Sequence, residues 1–327
     1  MANHVNWAIL GAGKFARDHM GPAIHAAARG RLAAVGTSSA EKGAFFEDMA
    51  PGVEICTDYD AVLADPGIDA VYLPLPNHLH VDWSLKAIAA GKHVLCEKPM
   101  CMEAAQFDQL IAARDASGLV VGEAYMIVHH PQWAQAKAWI AAGEIGPLVQ
   151  VDGVFSYNNA EDRGNIRNDA SKGGGAIPDI GVYTYGCTRF VTGQEPEEIL
   201  HADLAWEDGV DVWSHVTARF PSFRYSAVNS MRMAPRQEMT FQGETGRVRV
   251  CVPFNANVFG EAQVELHRPG HETLVRRFPG VNHYVLQVEA FNRSVLDGAA
   301  WPNPLEFSKG TQAMIDMVYA KAGRPAG

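Results

Sequence analysis

The chain has 327 residues, 47% of them hydrophobic and 20% charged, a composition that excludes a mostly disordered protein. Its length predicts two domains. A formal charge of −10 argues against a nucleic-acid surface, and no apolar run approaches the roughly 20 residues a membrane helix needs.

Met1 to Val5 lacks the basic and apolar regions of a leader, so a cytoplasmic protein is expected. The five cysteines (Cys56, Cys96, Cys101, Cys187 and Cys251) are odd in number and contain no CxxC pair, which predicts reduced thiols and no zinc.

Strand and helix signals alternate over the first 123 residues. Val5 to Leu10 is an apolar run stopped by Gly11. Lys14 to Arg29 is alanine-rich and predicts a helix, interrupted near Gly21-Pro22. The pattern then predicts a strand at 31–35, a helix at 41–49, a strand at 53–56 and a helix at 59–64. A strand at 69–73, a helix at 80–90, a strand at 93–96, a helix at 103–116 and a strand opening at 119 follow. Strands separated by helices at these distances predict a parallel, doubly wound α/β sheet, a Rossmann domain over residues 1–123.

Beyond it the texture changes. After a helix at 131–142 come alternating segments at 148–157, 215–220, 225–231, 239–241, 248–252 and 262–267, punctuated by turn signals such as Arg268-Pro269-Gly270. Residues 124–308 are therefore expected to form an α+β domain with a large, mostly antiparallel open sheet. Helices at 284–296 and 309–321 complete the chain.

Three motifs carry chemistry. Gly11-Ala12-Gly13-Lys14-Phe15-Ala16 follows a strand and opens a helix, the context of a dinucleotide fingerprint. Gly11 permits the tight turn, and Gly13 lets the backbone approach a pyrophosphate at the helix N-terminus. Ala16 stands where the pattern allows a third small residue. Glu97-Lys98-Pro99 follows a strand end, where ligands sit on such sheets; it places a cation beside the cofactor, and a cis bond before Pro99 suits the turn. The glycine run 173–175 leads to Asp179 and Tyr183, four apart and on one face if a helix starts there. A tyrosine next to a lysine handles a proton, because the ammonium favours phenolate; an N-cap Asp and a core Tyr would look the same. The pairs His78/His80 and His129/His130 lack the i, i+4 spacing of a metal site.

With the stretch Pro76-Asn77-His78-Leu79-His80, the run from Gly91 to Pro99 and Asp-x-Gly-x-Tyr at 179–183, these motifs resemble the glucose-fructose oxidoreductase / inositol dehydrogenase / rhizopine catabolism family almost end to end. Residues 123–131 and 165–169 look most like its NADP-dependent D-xylose dehydrogenases and dihydrodiol dehydrogenases. Such sequences often carry Arg where this chain has Val128. The resemblance implies that Lys98 is catalytic and meets both cofactor and substrate. It implies that Asp179 lies in the substrate pocket and that Tyr183 exchanges the hydroxyl proton. It adds Pro76, Asn77, His80 and Glu97 to the cofactor residues, and Asn165 and Arg167 to the substrate residues. A homodimer or homotetramer is implied, with the last helix, 309–327, packed on the Rossmann domain.

The expected reaction is reversible hydride transfer between a sugar-like carbinol carbon and nicotinamide C4, most simply aldose C1 giving a lactone. A trans-dihydrodiol or polyol dehydrogenase is the alternative in the same class. A nucleotide-sensing regulator is the alternative outside it, and the presence of Lys98, Asp179 and Tyr183 together argues against that. The second strand ends Val35-Gly36-Thr37-Ser38-Ser39-Ala40-Glu41-Lys42, with no acid at the strand end for the ribose hydroxyls of NAD. Ser38, Ser39 and Lys42 suit a 2′-phosphate, so NADP(H) is expected over NAD(H).

Overall fold

The computed structural model describes residues 3–323. The chain first lays down β1 (Val5–Leu10), α1 (Gly21–Ala26), β2 (Gly30–Gly36), α2 (Ala40–Met49), β3 (Glu54–Cys56) and α3 (Tyr59–Ala64). Next come β4 (Ala70–Leu73), α4 (His80–Ala89), β5 (His93–Cys96), α5 (Phe107–Ser117) and β6 (Val121–Glu123). The six strands are parallel in the order β3-β2-β1-β4-β5-β6, the doubly wound arrangement with its switch point between β1 and β4. On one face Ala8 and Leu10 join Val71, Leu73 and Val94 in a core closed by Val81 and Ile88 of α4 and Leu110 of α5.

The helix predicted at 14–29 is not interrupted at Gly21-Pro22. It absorbs the proline through a π-helical turn, Ala16–Met20, in which the Gly21 N–H reaches back to the Ala16 carbonyl. Pro22 then sits early in α1, where its missing N–H costs little.

The second part holds α6 (Pro131–Ala141), β7 (Leu148–Asn158) and α7 (Val182–Thr192), then β8 (Glu198–Glu207), β9 (Val210–Arg219), β10 (Arg224–Ser230) and β11 (Arg232–Gly243). It continues with β12 (Arg247–Val250), β13 (Ala262–His267) and β14 (Thr273–Phe278), and the chain ends with α8 (His283–Asp297) and α9 (Leu305–Ala322). The eight strands run β14-β13-β12-β11-β7-β10-β9-β8, antiparallel except for the β7–β10 pair. Two strands escape the sequence pattern, β8 and β14, and they are the two edges of this sheet. An edge strand buries less of itself, so its alternation is weaker.

Two compact units emerge, and their borders differ from those expected. The first holds residues up to His129 together with His283–Lys309; the second holds His130–Asn282 and the chain from Gly310 onward. Helix α8 thus belongs to the first unit. Trp7 on β1 needs a partner for its buried indole N–H and finds it in Asn292 Oδ1 at 2.9 Å, while its ring meets Phe291 at 4.9 Å.

Of the segment 309–327 expected on the Rossmann domain, residues 324–327 lie outside the described residues, Lys309 pairs with Asp108 of the first unit, and the rest is grouped differently. The last helix begins at Leu305, and from Gly310 it belongs to the second unit. The buried Arg189 guanidinium donates to Thr311 Oγ1 at 2.5 Å, and Tyr319 donates to Asp211 Oδ1 at 2.7 Å. A Cβ at Gly310 would run into Arg189, so glycine is required for that approach.

Candidate active site

In the first unit the fingerprint closes β1 as expected. Gly11 has a φ of +122°, and its N–H donates to the Gly36 carbonyl at 2.9 Å. A Cβ there would meet Leu75 at 3.3 Å. Gly13 is different: nothing lies within 4 Å of where its Cβ would be, and its φ is not in the left-handed region. Neither backbone nor packing demands glycine at 13, and the open space leaves room for a ligand to approach the main chain. Arg17 N–H donates to the Gly13 carbonyl at 3.0 Å, which starts the helix at Lys14 and leaves the preceding N–H groups for an anion. These features fit the pyrophosphate of a dinucleotide. Lys14 itself is paired with Asp18 and points along the helix.

At the end of β2 the residues expected to read the ribose come together. Ser39 caps α2, its hydroxyl accepting from the Lys42 N–H at 3.4 Å, and Lys42 Nζ lies 3.5 Å from Ser38 Oγ. Ser38 and Lys42 are exposed, and the acid of this stretch, Glu41, lies in the first turn of α2 and not at the strand end.

The loops after β4 and β5 form the next layer. The Lys98-Pro99 bond is cis. Glu97 Oε1 accepts from Tyr72 OH at 2.7 Å, and its Oε2 accepts from the Lys98 N–H at 3.2 Å. Burial pushes the Glu97 carboxyl up and Lys98 pulls it back; burial first, then Glu97, pushes Tyr72 well above the usual phenol range. The pair therefore fixes the backbone that carries Lys98.

His80 is fully buried, with Nδ1 2.8 Å from the Pro99 carbonyl and Nε2 2.7 Å from that of Leu75. A neutral ring donates only once, so one of these contacts is not a hydrogen bond. Burial outweighs both carbonyls and lowers its pKa to about 4. His80 braces the Pro74–Pro76 loop against the Lys98-Pro99 turn from between these two carbonyls. Pro76 and Asn77 open the short 3₁₀ turn that precedes it.

The sequence reading missed one aromatic group here. Tyr284, at the start of α8, meets Phe15 at 5.6 Å and His19 at 5.3 Å. Only a tertiary contact between residues nearly 270 positions apart creates it, so no local signal marks it.

In the second unit the Asp179 carboxylate is held from two sides. Arg167 Nε lies 2.8 Å from its Oδ1, and Tyr157 OH donates to its Oδ2 at 2.6 Å. Asp179 lies in a π-helical turn, Ile177–Gly181, that feeds α7. Tyr183, 6% exposed, sits in the first turn of α7 with its ring 5.9 Å from Phe155 and 5.7 Å from Phe254. Phe155 and Tyr157 are two apart on β7 and share a face of the sheet. Asp179 and Tyr183 therefore lie over that same face, as the spacing predicted.

Burial, then Asp179, drives the Tyr157 phenol far above its usual range. Asp179, ahead of all other causes, raises Arg167 further. Tyr157 is thus a permanent donor to that carboxylate. Asn165 turns out to be a turn cap: its Oδ1 accepts from the Arg167 N–H at 3.0 Å and its Nδ2 donates to Asp162 at 2.9 Å. It shapes the segment that carries Arg167. Among the described residues no cluster of His, Cys, Asp and Glu is arranged to hold a metal, and no helix is long and apolar enough to cross a membrane.

Comparison with known proteins agrees with this layout. The profile of the oxidoreductase family with an NAD-binding Rossmann fold matches residues 5–125, and that of the GFO/IDH/MocA C-terminal domain matches residues 133–249. An uncharacterized oxidoreductase, ORF334, of Rhizobium meliloti is 38% identical over 274 residues, 81% of each chain. D-xylose 1-dehydrogenase (NADP(+)) 2 of Haloferax volcanii is 32% identical over 266 residues, again 81% of each. Among solved structures, KijD10, a 3-ketoreductase from Actinomadura kijaniata crystallised with NADP and TDP-benzene, superposes with a TM-score of 0.90 at 28% identity, over 98% of both chains. The parallel sheet with its glycine turn is an NAD(P)-binding Rossmann domain, and this chain is an NAD(P)-dependent oxidoreductase belonging to the GFO/IDH/MocA family.

Proposed function

We propose that the chain is an NADP-preferring dehydrogenase that oxidises an aldose at C1 to the lactone, pentoses before hexoses. The observation that carries the substrate half is the Asp179 carboxylate, held by Arg167 and Tyr157 one turn before Tyr183. A fixed carboxylate beside a phenol suits a neutral polyhydroxylated ring: the carboxylate accepts from sugar hydroxyls, and the phenol exchanges the proton of the reacting one. Likeness to a D-xylose dehydrogenase supports the same class.

When bound, the nicotinamide supplies the hydride acceptor. Tyr183 takes the hydroxyl proton as the C–H bond breaks. Lys98, on a turn stiffened by Glu97, Tyr72 and His80, provides the cation that offsets the developing oxyanion. Asp179 orients the sugar, and Arg167 holds Asp179. Ser38, Ser39 and Lys42 take the 2′-phosphate. The enzyme works in the cytoplasm as a homo-oligomer.

The test is NADP⁺ reduction followed at 340 nm across aldoses, polyols and trans-dihydrodiols. Pentoses are expected to give the highest kcat/KM. Silence on every aldose, with turnover of a dihydrodiol or polyol, would refute the C1 assignment. A second reading, reduction of a keto group on a nucleotide-linked sugar, is favoured by the full-length likeness to the ketoreductase. Reduction of a dTDP-linked 3-ketosugar, with no aldose turned over, would establish it instead.

A further inference from the structure

The glycine run 173–175 leads into Asp179 and Tyr183, and the second unit shows what the run makes room for. Gly175 has a φ of +133°, and a Cβ there would stand 2.3 Å from Asp211 Oδ1. Asp211, on β9, is 1% exposed. Its Oδ2 accepts from the Ile177 N–H at 2.7 Å, and its Oδ1 accepts from Tyr319 OH at 2.7 Å. Ile177 opens the π-helical turn that carries Asp179 and feeds α7. A carboxylate at this end of a helix takes up an N–H that has no partner inside the helix, and the helix dipole favours it there.

The contacts run on to the carboxylate of the candidate site. The Gly175 N–H donates to the Arg167 carbonyl at 3.0 Å, and the Asp179 N–H donates to the Gly175 carbonyl at 3.2 Å. Arg167 Nε lies 2.8 Å from Asp179 Oδ1. Asp211 thus holds the first residue of a turn whose other anchor is Arg167. Tyr319 links this anchor to the last helix. Thr311 of α9 takes the Arg189 guanidinium near the far end of α7, and Tyr319, about two turns on, takes Asp211 at the near end. Helix α9 is therefore bonded at both ends of the segment that carries Asp179 and Tyr183.

We propose that Asp211 and Tyr319 are positioning residues. Through the Ile177 N–H they fix the turn that presents Asp179 and Tyr183, so the C-terminal helix sets the geometry of the substrate site by way of Asp211. This rests on the reading of Asp179 and Tyr183 as substrate residues.

The experiment compares the wild-type protein with Tyr319→Phe, Asp211→Asn and the double variant. Tyr319→Phe removes one hydroxyl and keeps the ring, which lies 6.0 Å from Trp206. The measurements are kcat and KM with the aldose, polyol or dihydrodiol that the wild-type protein turns over best, the Kd for NADP⁺, and Tm. Tyr319→Phe should lower kcat about tenfold and Asp211→Asn by about ten- to a hundredfold, because a small misplacement of a reacting group is that costly. The Kd for NADP⁺ should stay within about twofold of wild type. A packing role alone would lower Tm and leave kcat per folded enzyme unchanged. The double variant should lose about as much as Asp211→Asn by itself, because Tyr319 acts through Asp211. Amide hydrogen exchange at Ile177 and Asp179 should quicken about tenfold in each single variant, a readout that needs no substrate. Wild-type kcat in both folded single variants would overturn the proposal, as would wild-type exchange at these amides or losses that multiply in the double variant. Turnover of no compound by the wild-type protein would overturn the reading of Asp179 and Tyr183, and the exchange rates then decide the Asp211 anchor by themselves.

Discussion

The two units hold their functional residues by different means. In the first, the groups proposed to meet the cofactor are backbone amides, glycines and loop ends, kept in place by buried side chains: His80 between two carbonyls, and Glu97 on Tyr72. In the second, the functional groups are charged and hydroxylated side chains that hold one another, Arg167 and Tyr157 on Asp179. A cofactor is invariant, so a local motif of fixed backbone shape suffices to bind it. A substrate surface has to be assembled from side chains on several elements, which leaves it free to differ between relatives of the same fold.

The largest test of this contrast removes the one reactive group from each unit. Lys98→Met and Tyr183→Phe should each lower kcat by on the order of 10² to 10⁴ while NADP⁺ affinity and Tm stay close to wild type. Tyr183→Phe at near-normal kcat would mean that another group moves the proton. Single-turnover reaction at wild-type speed in Lys98→Met would remove the lysine from the chemistry.

A smaller effect separates two glycines of the same turn. Gly11→Ala forces a side chain to a φ of +122° and should cost roughly 1–3 kcal/mol of stability. Gly13→Ala enters open space, so Tm should hold while dinucleotide affinity falls by about tenfold or more. Calorimetric unfolding and titration of both variants check the pair. Unchanged affinity in Gly13→Ala would mean that no ligand approaches the backbone there.

The smallest expected change concerns the ribose. Lys42→Ala should cut the ratio of kcat/KM for NADP⁺ over NAD⁺ by only a few-fold, because an exposed ammonium on a flexible stem is screened and lacks the planar fork of arginine. An unchanged ratio would show that Ser38, Ser39 and the helix end read the phosphate without it.

Much of the site was legible because its motifs are contiguous and their chemistry local. The glycine turn, the Lys98-Pro99 turn and the Asp179–Tyr183 spacing each lie within a dozen residues. What holds them is not contiguous. Tyr157 and Arg167 reach Asp179 only through a strand, two short 3₁₀ turns and a π-helical turn. Asn165, expected among the sugar ligands, also caps its own turn, because a short amide in a turn readily finds its own backbone.

Amino-acid order by itself determined the alternation of strands and helices, the change to an antiparallel sheet and the place of each motif at a strand end. It did so because hydrophobic period and glycine position act within a few residues. Tertiary structure alone decided that the edge strands β8 and β14 pair at all. It also decided that α8 returns to cover Trp7 and that the last helix joins the second unit through Arg189 and Asp211. Each depends on a buried polar group or an open strand edge that is satisfied only by a partner far away in the chain, and no window of sequence contains both halves of such a pair.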